Sequence, residues 1–466
     1  MERIKTDLLI IGAGPGGYVA ALYAQKKGLK VTLVEKEFIG GTCLNVGCIP
    51  TKSLVKSAHL YDDALHSEEY GITAKDVMID MEKVISKKNF ITKQLVDGIS
   101  FLLNKYGVEV VFGNASFIND KEVLVTFRDK DIIYEPTDII IATGASSRHL
   151  RIEGLDIDNV MDSTKLLDND NLPKTLNIIG GGIIGMEFAF IYGKLGVEVN
   201  VIEYLPSILP TIDKDISQRL IRFAKMSHIS IHTSAEVKKI EKLENGQARV
   251  HYLQKESTKF LDADIVLEAV GRAPNMDGLN LENTKVEFSR NGIKVNKYMK
   301  TNIAHIYAIG DVTNIMQLAH VASHQGICAV DHILGKDKEM SYLFIPSVIF
   351  TTPQIATSGA SELDLIKSET PYHVFKVPFS ANGKAVIMNN AFGFIKLLIE
   401  NESSKVVGVA VFGDDAEHLI ATLTVMIQNN LSPEQIKETV FAHPTTSELI
   451  HETALGLLNE AIHFVE

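Results

Sequence analysis

Residues 7–17 read DLLIIGAGPGG and residues 175–185 read TLNIIGGGIIG. Each is a short apolar run that opens into a glycine triplet, Gly12-x-Gly14-x-x-Gly17 and Gly180-x-Gly182-x-x-Gly185. A helical pattern follows each triplet, Tyr18 to Lys27 in one case and MEFAFIYGKLG in the other. A second apolar strand then ends in a carboxylate, LKVTLVE at Glu35 and VEVNVIE at Glu203. The first glycine and the acid are 23 residues apart in both copies. Buried strands alternating with helices predict parallel sheets with right-handed crossovers. In this setting the first glycine makes the tight turn, the second admits a pyrophosphate and the third packs helix on strand. The helix N-terminus supplies amides to the phosphates, and the acid accepts hydrogen bonds from ribose hydroxyls. Two copies predict two dinucleotide sites.

The 466 residues suggest about three domains at roughly 150 residues each. Apolar residues are 45% and charged residues 22%, an ordinary globular balance that excludes global disorder. Fifty-eight acidic against 46 basic residues give a net charge of −12, which argues against a nucleic-acid surface or an anionic membrane partner. No apolar run reaches the roughly 18 residues of a membrane span. The start lacks the features of a secretory or transit segment, so a cytoplasmic location is expected. Asp80 to Leu103 reads as one long helix, with Lys87, Lys88 and Lys93 expected on a solvated face. HIYAIGDV reads as a buried strand, followed by a helix from Gln317 to Leu334. Strands at Val374–Pro378, Gly393–Glu400 and Val406–Phe412 precede helical stretches, which suggests an α+β domain appended to the α/β pair.

From Leu195 through Asp213 there is no Lys or Arg to pair with a ribose 2′-phosphate. A carboxylate at Glu203 would repel that phosphate, so NAD is favoured over NADP.

The segment GGTCLNVGCIPTK holds two of the three cysteines, Cys43 and Cys48. On an ideal helix their Cα atoms would lie about 8.6 Å apart, whereas a disulfide tolerates roughly 7 Å. Either the pair is unlinked or the backbone is irregular there, and Gly47 makes irregularity easy. Two buried apolar cysteines or half of a metal site are the bland alternatives. The metal reading lacks a second Cys pair or a His at ligand spacing, and a structural disulfide is disfavoured in a cytosol. A redox-active pair beside a flavin is the economical reading. Cys328, inside GICAV, reads as core.

GAGPGG, GGTCLNVGCIPTK, GGGIIGMEFAF, GRAPN, YAIGDV and AHPTTSE occur in the order and spacing of the FAD-dependent pyridine nucleotide–disulfide oxidoreductases. The chain resembles that family along essentially its whole length, and within it the dihydrolipoamide dehydrogenases. Glutathione-reducing relatives carry an aromatic gate where this chain has Ile183, and arginines where it has Tyr204 and Pro210. Mercuric reductases add a C-terminal cysteine pair, whereas this chain ends HFVE, and soluble transhydrogenases lack a complete cysteine pair. Thr51 departs mildly from the family's usual serine.

The resemblance implies an α/β chain of two Rossmann-like dinucleotide-binding domains plus a C-terminal α+β dimerisation domain. The expected divisions are 1–145 for FAD, 146–274 for NAD, 275–341 completing the FAD domain and 342–466 for the interface. It implies that Gly12, Gly14, Gly17, Glu35, Thr42, Lys52 and Asp311 bind FAD, with Ala115 and Ala319 as backbone contacts. Gly180, Gly182, Gly185, Glu203, Val237 and Gly271 would bind NAD. Lys52 would pair with Glu187 beside the flavin. His443, oriented by Glu448, would be the base; His451 is a second candidate with no motif behind it. A thiol near pKa 8.5 needs such a base, and an imidazole near 6.5 is free to act at neutral pH. Dihydrolipoamide would attack Cys43 of a Cys43–Cys48 disulfide, with Cys48 on the flavin side. The implied partners are a second copy of the chain, in a homodimer, and a lipoyl-bearing acyltransferase or carrier protein of a multienzyme complex. A disulfide reductase with another thiol substrate, or a flavoprotein kept as a structural subunit, are the competing expectations.

Overall fold

A computed structural model describes residues 2–128 and 130–465, and the chain divides into two compact units. The first comprises residues 1–151, 161–172 and 268–341, and the second residues 152–160, 173–267 and 342–466.

In the first unit the central strand Glu2–Ile11 runs parallel to Val31–Glu35 on one side and to Lys130–Ile141 on the other. The Lys130–Ile141 strand forks. Its first half pairs antiparallel with Glu122–Phe127, and its end, Ile139–Ile141, pairs parallel with Ile306–Ala308. Leu8, Leu9 and Ile10 are fully buried, as expected of a strand covered on both faces. At about 1.5–3 kcal/mol per buried aliphatic side chain, this run is a large part of what holds the sheet. Helix Pro15–Lys26 packs closely on helix Ala319–Ile333, and small residues permit the approach: a Cβ on Gly326 would lie 2.8 Å from the Gly16 carbonyl oxygen.

The long helix expected from Asp80 spans Met81–Lys105, and the Asp80 carboxylate caps it by accepting from the Lys83 amide at 3.1 Å. Lys88 corrects the expectation of a solvated lysine face. It is 3% exposed, donates to the Leu167 carbonyl at 2.9 Å and pairs with Asp168. A partner some 80 positions away, invisible to helical periodicity, draws it inward.

The second unit contains a five-stranded sheet centred on the parallel strands Thr175–Ile179, Glu198–Ile202 and Ile229–His232. An antiparallel three-stranded sheet, Ala235–Lys242, Ala248–Gln254 and Ser257–Ala263, lies in the same unit. The C-terminal sheet is wholly antiparallel, in the order Ser347–Ile349, Ile355–Gly359, Val406–Phe412, Phe394–Glu400, Tyr372–Pro378. Its core joins Val377, Ile395, Leu397 and Val411 to Leu419, Leu423 and Leu449 from helices Ala416–Gln428 and Glu448–Leu457. Among the described residues, no helix is long and apolar enough to cross a membrane.

Candidate functional site

The two glycine loops share one geometry. A Cβ on Gly17 would lie 1.8 Å from the Gly12 carbonyl oxygen, and one on Gly185 would lie 2.0 Å from that of Gly180. No side chain fits at either position, because helix and strand meet there backbone to backbone. By contrast Gly14 has nothing nearer its Cβ direction than the Gly41 Cα at 4.0 Å, and Gly182 faces open space. Helices Pro15–Lys26 and Ile183–Lys194 start without a side-chain cap and without an acid in the first turn. Their leading amides and positive dipole ends are thus left for an anion.

Both strand-end acids are held alike. Glu35 accepts from the Ala13 amide at 2.7 Å and the Glu37 amide at 2.8 Å; Glu203 accepts from Gly181 and Leu205, each at 2.6 Å. Both are 8% exposed. Each carboxylate is oriented by its own loop before any ribose arrives. Open glycine cradles, uncapped helix starts and anchored acids suit dinucleotide pyrophosphate and ribose groups at both loops.

Cys43 sits in the short helix Gly41–Asn45 and Cys48 begins helix Cys48–Leu65. The chain breaks between them at Val46 and Gly47, so a single ideal helix does not separate the two sulfurs. A Cβ on Gly47 would come within 2.9 Å of the Thr42 carbonyl oxygen, which makes glycine the residue that permits the break. The two cysteines are not joined by a disulfide. The Cys43 thiol is held far above its ordinary pKa by its hydrogen bond with Cys48 and then by burial, with Lys52 opposing weakly. Cys328 is buried, its Sγ 3.3 Å from the Lys338 carbonyl oxygen, as a core residue should be.

Arg272, in GRAPN beside Gly271, is a member of this site that the sequence reading did not single out. Its guanidinium bonds the Ala145 carbonyl, reaches to 3.5 Å from the Thr42 hydroxyl, and feels the charges of Asp311 and Cys48. Burial lowers its pKa, and Asp311 acts against that. Asp311 is raised by the same burial, with Arg272 opposing. Its signal in the sequence is its place in the GRAPN motif, directly after Gly271. Ala115 is buried in strand Asn114–Asn119, and Ala319 opens helix Ala319–Ile333. Gly271 has φ +109° and open space around it, in the first unit. Val237 is buried in the second unit at an irregularity in the Ala235–Lys242 strand.

Glu187 is 4% exposed on helix Ile183–Lys194 and accepts from the Phe350 amide at 3.0 Å. It belongs to the second unit, whereas Lys52 belongs to the first.

The imidazole of His443 meets Glu448 through Nδ1, at 3.0 Å from Oε1, and the other carboxylate oxygen accepts from the Thr445 amide at 3.0 Å. Burial pushes the Glu448 carboxyl up, but the Thr445 amide and His443 outweigh it and leave it below its usual range. An Nδ1–H donated to Glu448 leaves the Nε2 lone pair to take a proton. The His443 side chain is 80% exposed. His451, the second candidate, instead contacts the Lys437 carbonyl at 3.2 Å and lies against Phe441, a structural role. A further pair, His463 Nδ1 to Glu452 at 2.6 Å, came from no motif.

Residues 6–326 match the family model described as pyridine nucleotide-disulphide oxidoreductase, and residues 345–454 match that family's dimerisation domain. The chain is 40% identical to a dihydrolipoyl dehydrogenase of Bacillus subtilis over 99% of this chain and 98% of that one. It is 38% identical to a dihydrolipoyl dehydrogenase of Geobacillus stearothermophilus, with the same coverage. Among solved structures it resembles LpdA from Mycobacterium tuberculosis, with TM-score 0.90 and 26% identity over 98% of this chain and all of that one. It also resembles the HOCl-induced flavoprotein disulfide reductase RclA from Escherichia coli, with TM-score 0.87 and 29% identity over 97% and 99% of the two chains.

Proposed function

Because the chain belongs to the pyridine nucleotide-disulphide oxidoreductases, a family that uses FAD and NAD(H), we propose that it is a dihydrolipoyl dehydrogenase. It would reoxidise the dithiol of dihydrolipoyl groups to the cyclic disulfide while NAD⁺ is reduced to NADH, one proton being released. The observation that carries this reading is the hydrogen-bonded Cys43–Cys48 dithiol at the head of a helix, in the unit that contains the first glycine loop.

The roles follow from the chemistry. Gly12, Gly14, Gly17, Glu35, Thr42, Lys52 and Asp311, with backbone contacts at Ala115 and Ala319, would hold FAD, which when bound would supply two-electron transfer between the cysteine pair and NAD⁺. Residues Gly180, Gly182, Gly185, Glu203, Val237 and Gly271 hold NAD. His443 Nε2 takes the proton of the attacking substrate thiol, and Glu448 keeps the imidazole in the tautomer that can do so. In the oxidised enzyme the substrate thiolate would add to Cys43 of a Cys43–Cys48 disulfide, breaking that S–S bond and expelling Cys48 as thiolate. The second substrate thiolate then displaces Cys43, which leaves the enzyme dithiol and closes the lipoyl ring. Lys52 and Glu187 would pair and tune the charge beside the flavin. The domain division would be 1–145, 146–274, 275–341 and 342–466, with the last forming a homodimer interface. A cytoplasmic location and a lipoyl-bearing subunit of a multienzyme complex as partner complete the proposal.

Steady-state turnover with dihydrolipoamide and with reduced glutathione, each with NAD⁺ and NADP⁺, tests it. Dihydrolipoamide with NAD⁺ should be the productive pair. The buried Glu203, with no basic residue from Leu195 to Asp213, should give NAD⁺ at least a tenfold advantage in kcat/KM, about 1.4 kcal/mol. Equal efficiency with NADP⁺, or preference for glutathione, would overturn the reading.

A further inference from the structure

In the second unit, strand Phe394–Glu400 carries a lysine that solvent does not reach. Lys396 is completely buried. Its ammonium lies 2.8 Å from Asp213 and 2.9 Å from Asp215, and it also pairs with Glu362. Lys376 adds a second cation, 2.7 Å from Asp215. The carboxylates of Asp213, Asp215 and Glu362 converge to within 4.8 Å of one another. Such an arrangement demands a cation, and the lysine ammonium is that cation. Burial works to lower the Lys396 pKa, but the hydrogen bonds it donates to the three acids raise it above its ordinary value.

The cluster ties down a particular piece of chain. Asp213 heads helix Lys214–Met226, yet its carboxylate makes no capping bond. It accepts instead from Lys396 and from the Glu362 amide at 2.9 Å. The same helix is seated on the C-terminal sheet by Arg219, which donates to the Phe392 carbonyl at 3.3 Å and lies over the Phe394 ring, and by Phe223 against Phe392. Directly before Asp213, the segment that leaves Glu203 folds back on the second glycine loop. The Leu209 amide donates to the Gly181 carbonyl at 2.9 Å, and Ile208 is fully buried where a Gly181 Cβ would lie 2.8 Å away. The Leu205 amide orients the Glu203 carboxylate. Lys396 is thus connected, through Asp213 and residues 204–212, to the acid and the loop of the second dinucleotide motif.

We propose that Lys396 is a positioning residue for dinucleotide binding, holding Asp213, Asp215 and Glu362 together so that residues 204–213 keep Glu203 and the Gly181 peptide in register. This rests on the reading of Gly180, Gly182, Gly185 and Glu203 as the NAD site. Removing the Lys396 ammonium leaves the buried Asp213 and the part-buried Glu362 without this cation, while Lys376 still pairs with Asp215, and the like charges relax by separating. The displaced element is the segment behind the ribose acid, far along the chain from the cysteines.

The test uses the flavin-loaded enzyme and ADP-ribose, a redox-inert fragment that occupies only the nucleotide end of the site. Lys396→Met should raise the ADP-ribose Kd and the NAD⁺ KM at least tenfold, while the rate of flavin reduction by dihydrolipoamide stays within twofold. Lys396→Arg should recover most of the affinity. Glu203→Ala is the control for the site itself. An unchanged Kd in Lys396→Met with a weakened Glu203→Ala overturns the proposal and leaves the site intact. An unchanged Kd in both overturns the site reading and the proposal with it. Should Lys396→Met fail to fold, Asp213→Asn decides: a rise of threefold or more supports the strut, and wild-type affinity refutes it.

Discussion

His443 and Glu448 stand five positions apart and meet at 3.0 Å, the carboxylate also receiving the Thr445 amide. Glu448 therefore orients the imidazole and anchors the turn that carries it. These two effects separate by pH. Its folded pKa lies below the usual carboxylate value, so its contribution to stability is complete above the unfolded value of about 4.3 and is lost as pH falls through the folded value. Glu448→Gln should accordingly melt below wild type at pH 7, and the gap should close as pH falls below about 4. A gap of constant size down to pH 3, measured by calorimetry, would contradict this. In turnover, His443→Gln should lose about 10²–10⁴-fold in kcat/KM for dihydrolipoamide, as loss of a general base does. Glu448→Gln should lose about tenfold, since the base survives but its tautomer is no longer fixed.

At the scale of elements, the strand–loop–helix unit occurs twice with matching contacts, and this makes a paired prediction. Gly17→Ala and Gly185→Ala place a methyl group 1.8 and 2.0 Å from a backbone oxygen, so helix and strand must separate in each case. Purified Gly17→Ala should lose bound flavin, seen as missing visible absorbance. Gly185→Ala should keep its flavin and its reduction by dihydrolipoamide, with NAD⁺ KM raised at least tenfold, about 1.4 kcal/mol. Flavin loss in both variants would show that the two loops do not serve separate dinucleotides. These loops were legible in the sequence because their constraints are local: one strand, one turn, one helix and one acid within 23 residues. The cysteine segment was half legible. Its spacing left an unlinked pair or an irregular backbone as alternatives; the backbone does break at Val46 and Gly47, with the two thiols unlinked. Lys88 and Lys396 were not legible. Their neighbours in sequence describe a polar helix face and an ordinary strand, and only carboxylates 34 to 183 positions away, brought close by the fold, make burial of a lysine tolerable. Arg272 was hidden similarly, since its partners Thr42 and Ala145 are 230 and 127 positions distant.

At the scale of the whole molecule, the His443 side chain is 80% exposed in its own chain. Nearby in sequence, Val440 is 95% exposed, as is Val465 at 96%, within or just beyond the matched dimerisation domain. Apolar groups and an oriented base left open in this region suit a face that a second copy covers. A two-fold interface is isologous, so whatever one chain gives to its partner it also receives. If His443 completes the partner's site, each site consists of Cys43 and Cys48 from one chain and His443 from the other. Cys43→Ser and His443→Gln homodimers would then both be nearly inactive, each having one broken half in every site. In a heterodimer one site collects both substitutions and the other collects none. Subunits of the two variants, mixed in equal amounts and allowed to re-pair at random, should therefore recover about one quarter of wild-type turnover, since half the dimers are mixed and each holds one intact site. Isolated heterodimer should show about half. Verified heterodimer with no recovered activity would place His443 in its own chain's site instead.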